Sequence, residues 1–168
     1  MSQTAEPLDL PEIRPWPLAL DDVRRARERL APHLTPTAAR GYPLLDEWIG
    51  HGISLVAKHE NHQPTCSFKV RNGLSFVTAL PADARARGIV AASTGNHGQG
   101  IAFAASLLGA QATICVPVGN NPEKVAAMRG WGATVVEKGR DYDEAVDAML
   151  QAAREPGLWV AHSNNDGN

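Results

Sequence analysis

From Ile53 onward the sequence alternates short apolar runs with longer segments of helical period, and that alternation leaves few folds open. Ile53 to Lys58 predicts a strand and Ser67 to Leu80 a helix. Gly88 to Ala92 predicts a strand, followed by a helix of small residues from about Asn96 to Leu108. Ala112 to Pro117 is the next strand. Asn121 then caps a helix with Pro122 in its first turn, and the glycines at 130 and 132 end it. Ala133 to Glu137 predicts a strand, Asp141 caps a helix through Arg154, and Leu158 to His162 is a last strand. Strands separated by single helices pair in parallel, because each helix returns the chain to the same end of the sheet. The expected fold is α/β: three layers, a parallel sheet with helices on both faces.

Upstream, Met1 to Pro17 carries four prolines among charges and predicts an extended arm. Asp21 or Asp22 caps a helix through Val23, Ala26 and Leu30 that stops before Pro32. Thr35-Pro36-Thr37 forces extended backbone, and a short helix around Leu44 to Ile49 ends at Gly50 or Gly52. At the other end, Ser163 to Asn168 leaves a strand for a loop where an α/β chain ordinarily runs on into a helix. The expectation is the front part of a longer polypeptide.

Composition excludes several functions. A net charge of -2 gives nucleic acid or an anionic membrane no electrostatic hold. No apolar run reaches the roughly 18 residues of a membrane span. Met1 to Leu10 is acidic and lacks the pattern of a signal peptide. Cys66 and Cys115 make no disulfide framework; both fall in segments that read as buried, as reduced thiols of a cytoplasmic protein would. His59, His62 and Cys66 have metal-like spacing, but without a second cluster no metal is expected. His33 and His51 read as solvated. Arg24, Arg25, Arg27 and Arg29 interleave with Asp21, Asp22 and Glu28 as a solvated helix face does. Trp16, Trp48, Trp131 and Trp159 read as core or interface anchors.

Two motifs carry chemistry. In the run from His59 to Gly73 a strand ends, a polar loop follows, and Lys69 falls in the first turn of a helix. The helix dipole disfavours a cation there, so such a lysine is best uncharged or paired with an anion. An uncharged lysine is what a Schiff base requires. A solvated lysine at a misplaced helix boundary satisfies the same residues. In the second motif, Ala91 to Gly100, a strand feeds a glycine-containing turn that opens a helix, whose N–H groups suit a carboxylate or phosphate. Its glycines, Gly95, Gly98 and Gly100, run in the reverse order of the dinucleotide fingerprint, against a nucleotide-binding domain. A turn built only for close packing remains open.

Together, Asn61 to Arg71 and Ser93-Thr94-Gly95-Asn96-His97-Gly98-Gln99-Gly100 resemble fold-type II pyridoxal-phosphate (PLP) enzymes, nearest the threonine/serine dehydratase and serine racemase branch. Val116-Pro117, Asn121 to Val125 and Gly132-Ala133 extend the resemblance, which runs from about Thr35 to the last residue. It implies that Lys69 holds PLP as a Schiff base and later moves the substrate Cα proton. It implies that Phe68 packs near the pyridine ring and that Asn96 hydrogen-bonds the ring hydroxyl oxygen. Ser93, Thr94, Gly95, Asn96 and His97 would cradle the substrate carboxylate, mainly through backbone N–H groups.

The implied reaction is loss of water and ammonia from L-threonine or L-serine, giving a 2-oxo acid. Serine racemase and hydroxyaspartate ammonia-lyase are sister activities, and a non-catalytic α/β module is the alternative of another class. Thr94 stands where serine racemases carry a serine acid/base; the stiffer threonine favours elimination. Cys66, in place of a common glycine, and Asn72-Gly73, in place of the common Gly-Ala, depart from the pattern, the latter within the packing of its helix.

The family's second glycine-rich loop, which binds the cofactor phosphate, and its small polar residue at the pyridine nitrogen do not occur in this sequence. Residues 1–52 are therefore expected to belong to a larger domain, 53–158 to the smaller α/β domain, and 159–168 to the start of the larger domain's remainder. The resemblance implies a homo-oligomer at full length and an inactive piece in isolation. Leu30, Leu34, Leu44, Leu45, Trp48 and Ile49 would then be partly exposed.

Overall fold

The computed structural model describes residues 18–154 and 157–162, so the expected arm, Trp16 and the terminal loop lie outside the described residues. Helix α1 (Leu20–Leu30) starts at Ala19, not at an aspartate. Asp22 lies inside the first turn, and its Oδ2 accepts the Ala19 N–H at 2.8 Å, which satisfies an otherwise unpaired donor. Strand β1 (Ala39–Gly41) leads into α2 (Pro43–Ile49), which the chain leaves at Gly50 with φ +70. Strand β2 (Val56–Lys58) pairs antiparallel with β1, Ala39 opposite Lys58.

This two-stranded sheet corrects the sequence reading. The strand is shorter than Ile53–Lys58 and lies outside the parallel sheet. Its residues are exposed or half-buried, whereas the parallel strands need apolar side chains on both faces.

After a 3-10 turn (Glu60–His62) come α3 (Lys69–Ala79) and α4 (Ala82–Arg87), then β3 (Ile89–Ala92). The alternation gives no sign of α4, a six-residue helix with one buried side chain, Ala84. The remaining elements follow the predicted rhythm: α5 (Asn96–Leu107), β4 (Ala112–Val116), α6 (Pro122–Gly130), β5 (Thr134–Glu137), α7 (Tyr142–Ala152) and β6 (Trp159–Ala161). The caps are those expected. Asn121 Oδ1 accepts from the N–H groups of Glu123 and Lys124, and Asp141 Oδ1 from that of Glu144.

The four parallel strands lie in the order β5-β4-β3-β6. Residues 159–161, assigned from the sequence to the next unit, are the fourth strand of this sheet, with Ile89 opposite Trp159. Alternate residues sort the core into two faces. Ile89, Ala91, Ile114 and Val116 pack with α1, α3, α5 and α6 through Leu30, Val70, Leu74, Ile101 and Met128. Val90, Ala92 and Cys115 pack on the other face with Ala148 and Met149 of α7. The chain steps from β3 to β4 to β5 on one side, then crosses by α7 to β6 on the opposite side of β3. The loop after β3 thus leaves the sheet where the direction of winding reverses, the place where open α/β sheets form a crevice.

Leu30 and Leu34 are buried, contrary to expectation, because α1 finds α3 to pack against. Leu44 and Trp48 are exposed as expected, 82% and 84%, so Trp48 is no core anchor. Trp131 packs edge-on against Phe103. No helix among the described residues is long and apolar enough to cross a membrane.

Helices α3 and α5 meet main chain to main chain. A Cβ added at Gly73 would stand 2.2 Å from the Gly100 carbonyl oxygen, and one at Gly100 would stand 2.5 Å from that of Lys69. Gly73→Ala should therefore destabilise the protein by about 3 kcal/mol, since backbone cannot give way as a side chain can. Gly130, where an added Cβ would meet no atom within 4 Å, is the control; Gly130→Ala should be neutral or stabilising by about 0.5–1 kcal/mol. Urea denaturation of both variants measures the difference, and equal effects would contradict the role given to the helix contact.

Candidate active site

At the carboxyl end of β3 lies a cleft of about 410 Å³, lined by Phe68, Lys69, Ala92 and residues 93–97, with Tyr142 also on its wall. Every site residue named from the sequence is among these. The segment leading in, 63–68, alternates: Gln63, Thr65 and Ser67 point inward, 4–8% exposed, while Pro64, Cys66 and Phe68 face out. Cys66, read from the sequence as buried, is exposed because the turn takes it into the left-handed region, φ +52. Ser67 Oγ accepts the Lys69 N–H at 3.3 Å, which fixes the entry to α3. Lys69 is half-buried and is the first residue of the helix; its Nζ lies 5.7 Å from the centroid of the Phe68 ring, itself 59% exposed.

A carboxylate outside the cleft holds this turn in place. Glu60 receives Arg71 through two hydrogen bonds, Nε to Oε2 at 2.7 Å and Nη2 to Oε1 at 3.0 Å. The Thr37 hydroxyl donates to Oε1 at 2.6 Å, and Lys58 Nζ donates in turn to the Thr37 carbonyl at 2.9 Å. The two-stranded sheet is thereby bound to the first turn of α3. The Arg71 guanidinium holds the Glu60 carboxyl at about 2, against partial burial, which works in the other direction. His59 is taken up by Tyr42 at 2.6 Å and stacks on His62.

The loop after β3 is folded by its own side chains. Ser93 Oγ accepts the N–H groups of Gly98 at 2.9 Å and Gly95 at 3.2 Å, so Ser93 shapes the cradle from within. His97 is buried; its Nδ1 meets Asn72 Oδ1 at 3.0 Å, and its Nε2 lies 3.4 Å from the Ala161 carbonyl. The imidazole thus joins α3, α5 and β6. Asn72 and Gly73, which depart from the resembled pattern, are the residues through which α3 meets α5. Thr94 and Asn96 are exposed at the rim. Chemically, the cleft offers a primary amine, an aromatic face, an amide and a helix N-terminus suited to an anion.

Sequence reasoning missed three residues. Asn120 Nδ2 donates to the Thr94 carbonyl at 3.1 Å, and Lys124 Nζ to Asn96 Oδ1 at 2.8 Å. Tyr142 lines the cleft as the first residue of α7. The signal that could have found them was the pair of caps at Asn121 and Asp141. In a parallel α/β sheet, helix starts gather at the carboxyl edge of the strands, so residues beside those caps border the crevice.

The family model described as pyridoxal-phosphate dependent enzyme matches residues 30–168. An L-threonine ammonia-lyase of Geobacter sulfurreducens is 46% identical over 115 residues, 68% of this chain and 29% of that protein. Among solved structures, a threonine deaminase from T.th. is 35% identical, with a TM-score of 0.77 over 86% of this chain and 45% of that one. Maize serine racemase is 27% identical, with a TM-score of 0.81 over 86% of this chain and 44% of the other. The chain spans less than half the length of each.

The Glu60–Arg71 pair generates a pH prediction. The Glu60 carboxyl titrates at about 2 when folded and near 4.5 when unfolded. Its stabilisation is therefore fully present above about pH 5 and is lost as pH falls through the folded value. Glu60→Gln should cost roughly 1–2 kcal/mol at neutral pH, and the gap to wild type should close progressively below pH 4.5. Urea denaturation at a series of pH values checks this; a gap that stays constant down to about pH 2.5 would show that the charge of Glu60 does not matter.

Proposed function

The chain belongs to the pyridoxal-phosphate dependent enzyme family, and on that premise we propose that the whole protein is an ammonia-lyase acting on L-threonine or L-serine. The observation that carries this reading is the meeting of Lys69 with the 93–97 loop in one cleft. The residues present suit the cofactor's aldehyde and ring: an amine at Lys69, an aromatic face at Phe68 and an amide at Asn96. When bound, pyridoxal phosphate supplies a ring that delocalises the charge left on the α carbon when its proton departs.

The chain's own residues do the rest. Lys69 Nζ would hold the cofactor at its aldehyde carbon, and the same amine is the group placed to take the substrate's Cα proton. The first turn of α5 and the loop before it bind the substrate carboxylate, in a shape maintained by Ser93 Oγ and His97. Phe68 would pack by the ring, and Asn96 would hydrogen-bond the ring hydroxyl oxygen. Both thiols are free, which suits the cytoplasm; the whole enzyme is proposed to be a homo-oligomer.

Serine racemase is the second reading, favoured by the fold likeness and opposed by Thr94. Racemisation needs a proton-transfer group on each face of Cα, and a β-branched hydroxyl turns less freely than that of serine.

Two outcomes are expected. Borohydride reduction of the whole enzyme with pyridoxal phosphate, followed by peptide mapping, should find the label on Lys69, and Lys69→Ala should abolish it; label on Lys58 or Lys124 would refute the assignment. In the whole enzyme, ammonia release from L-serine should exceed formation of D-serine, and Thr94→Ser should raise the D-serine fraction. A wild type that chiefly makes D-serine would reverse the order of the two readings.

A further inference from the structure

Lys124 occupies an unfavourable place. It lies in the first turn of α6, after the Asn121 cap and Pro122, where the helix dipole repels a cation. Its ammonium is nevertheless directed to one partner, Asn96 Oδ1, at 2.8 Å. Asn96 in turn lines the cleft. An ammonium has donors only, so the end of the Asn96 amide facing Lys124 has to be the oxygen. The Nδ2 hydrogens are then the end left for a ligand.

The same segment holds the loop at a second point, where Asn120 Nδ2 donates to the Thr94 carbonyl. Lys124 and Asn120 therefore clamp the rim from one capped helix start, whose own register is fixed by the two N–H groups that Asn121 accepts.

We infer that Lys124 is a positioning residue: it holds the Asn96 amide with its oxygen turned away, so that Asn96 meets the cofactor's ring hydroxyl oxygen as a donor. The inference rests on the cofactor reading proposed above. An unrestrained asparagine could present either end, and the carbonyl end would repel an oxygen that carries negative charge. By fixing the donor end in advance, Lys124 removes the cost of turning the amide when the cofactor arrives.

Equilibrium titration of the whole enzyme, stripped of cofactor, tests this, with pyridoxal phosphate and with its analogue lacking the ring hydroxyl, each followed by the absorbance of the bound form. Lys124→Met and Asn96→Ala should each weaken binding of pyridoxal phosphate roughly tenfold, the loss of about one hydrogen bond. Neither should change binding of the analogue, a selectivity that general damage to the fold would not produce. The double variant should bind no more weakly than Asn96→Ala alone, and Lys124→Arg, which keeps a donor, should retain most of the affinity.

Circular dichroism and thermal melting of each variant confirm that it is folded. Unchanged binding in Lys124→Met would overturn the inference. So would equal weakening toward both ligands, or a loss that adds in full to that of Asn96→Ala. A whole wild-type enzyme that takes up no pyridoxal phosphate would instead remove the cofactor reading, and the role of Lys124 with it.

Discussion

Gly73 and Gly100 let two helices touch at the separation of their main chains, and the cleft is a consequence of that contact. Any side chain at either position would have to displace a carbonyl, by the 2.2 and 2.5 Å approaches described. The Lys69 carbonyl is itself part of the contact surface. The distance between the amine-bearing turn of α3 and the loop that opens α5 is therefore set by backbone, which varies less than packed side chains do. The hydrogen bond from His97 to Asn72, beside the same contact, fixes the rotation of one helix against the other.

Polar groups then do locally what the glycines do globally. Glu60 binds the first turn of α3 from outside the cleft, Ser93 folds the loop before α5 from inside it, and Asn121 and Asp141 start the helices whose first residues complete the rim. Each satisfies backbone or charged groups that would otherwise have no partner in the protein. Each bond is local, spanning 2 to 11 residues, but the segments they shape come from separate stretches of the chain, so the rim is specified by the whole fold and not by any one motif.

That division explains what is legible in the sequence. Strand and helix periods give the four parallel strands and their order along the chain, because a doubly covered sheet needs continuous apolar runs such as Ile89–Ala92. The glycine turn and the lysine at a helix entry give the cleft. The small antiparallel sheet escapes because Val56–Lys58 is apolar enough to suggest a buried strand, while its partner, Ala39–Gly41, has no strand signature at all. Cys66 reads as buried although the alternation around it is polar and points inward at Thr65 and Ser67, a pattern that only the turn reveals. Lys124 and Tyr142 escape because their contacts span from one βα loop to another, information that local spacing does not contain.

The left-handed turn at Cys66 has a practical side. The sequence holds two cysteines, and they differ sharply in accessibility. Cys115 is 1% exposed in the core, where burial pushes its thiol up from the usual range, so it is both shielded and slow to ionise. Cys66 faces solvent three residues before Lys69. Within these 168 residues a maleimide dye or spin label will therefore attach at one place, Cys66, near the entrance to the cleft, without any engineered substitution. The native sequence already carries its own attachment point for watching ligands come and go.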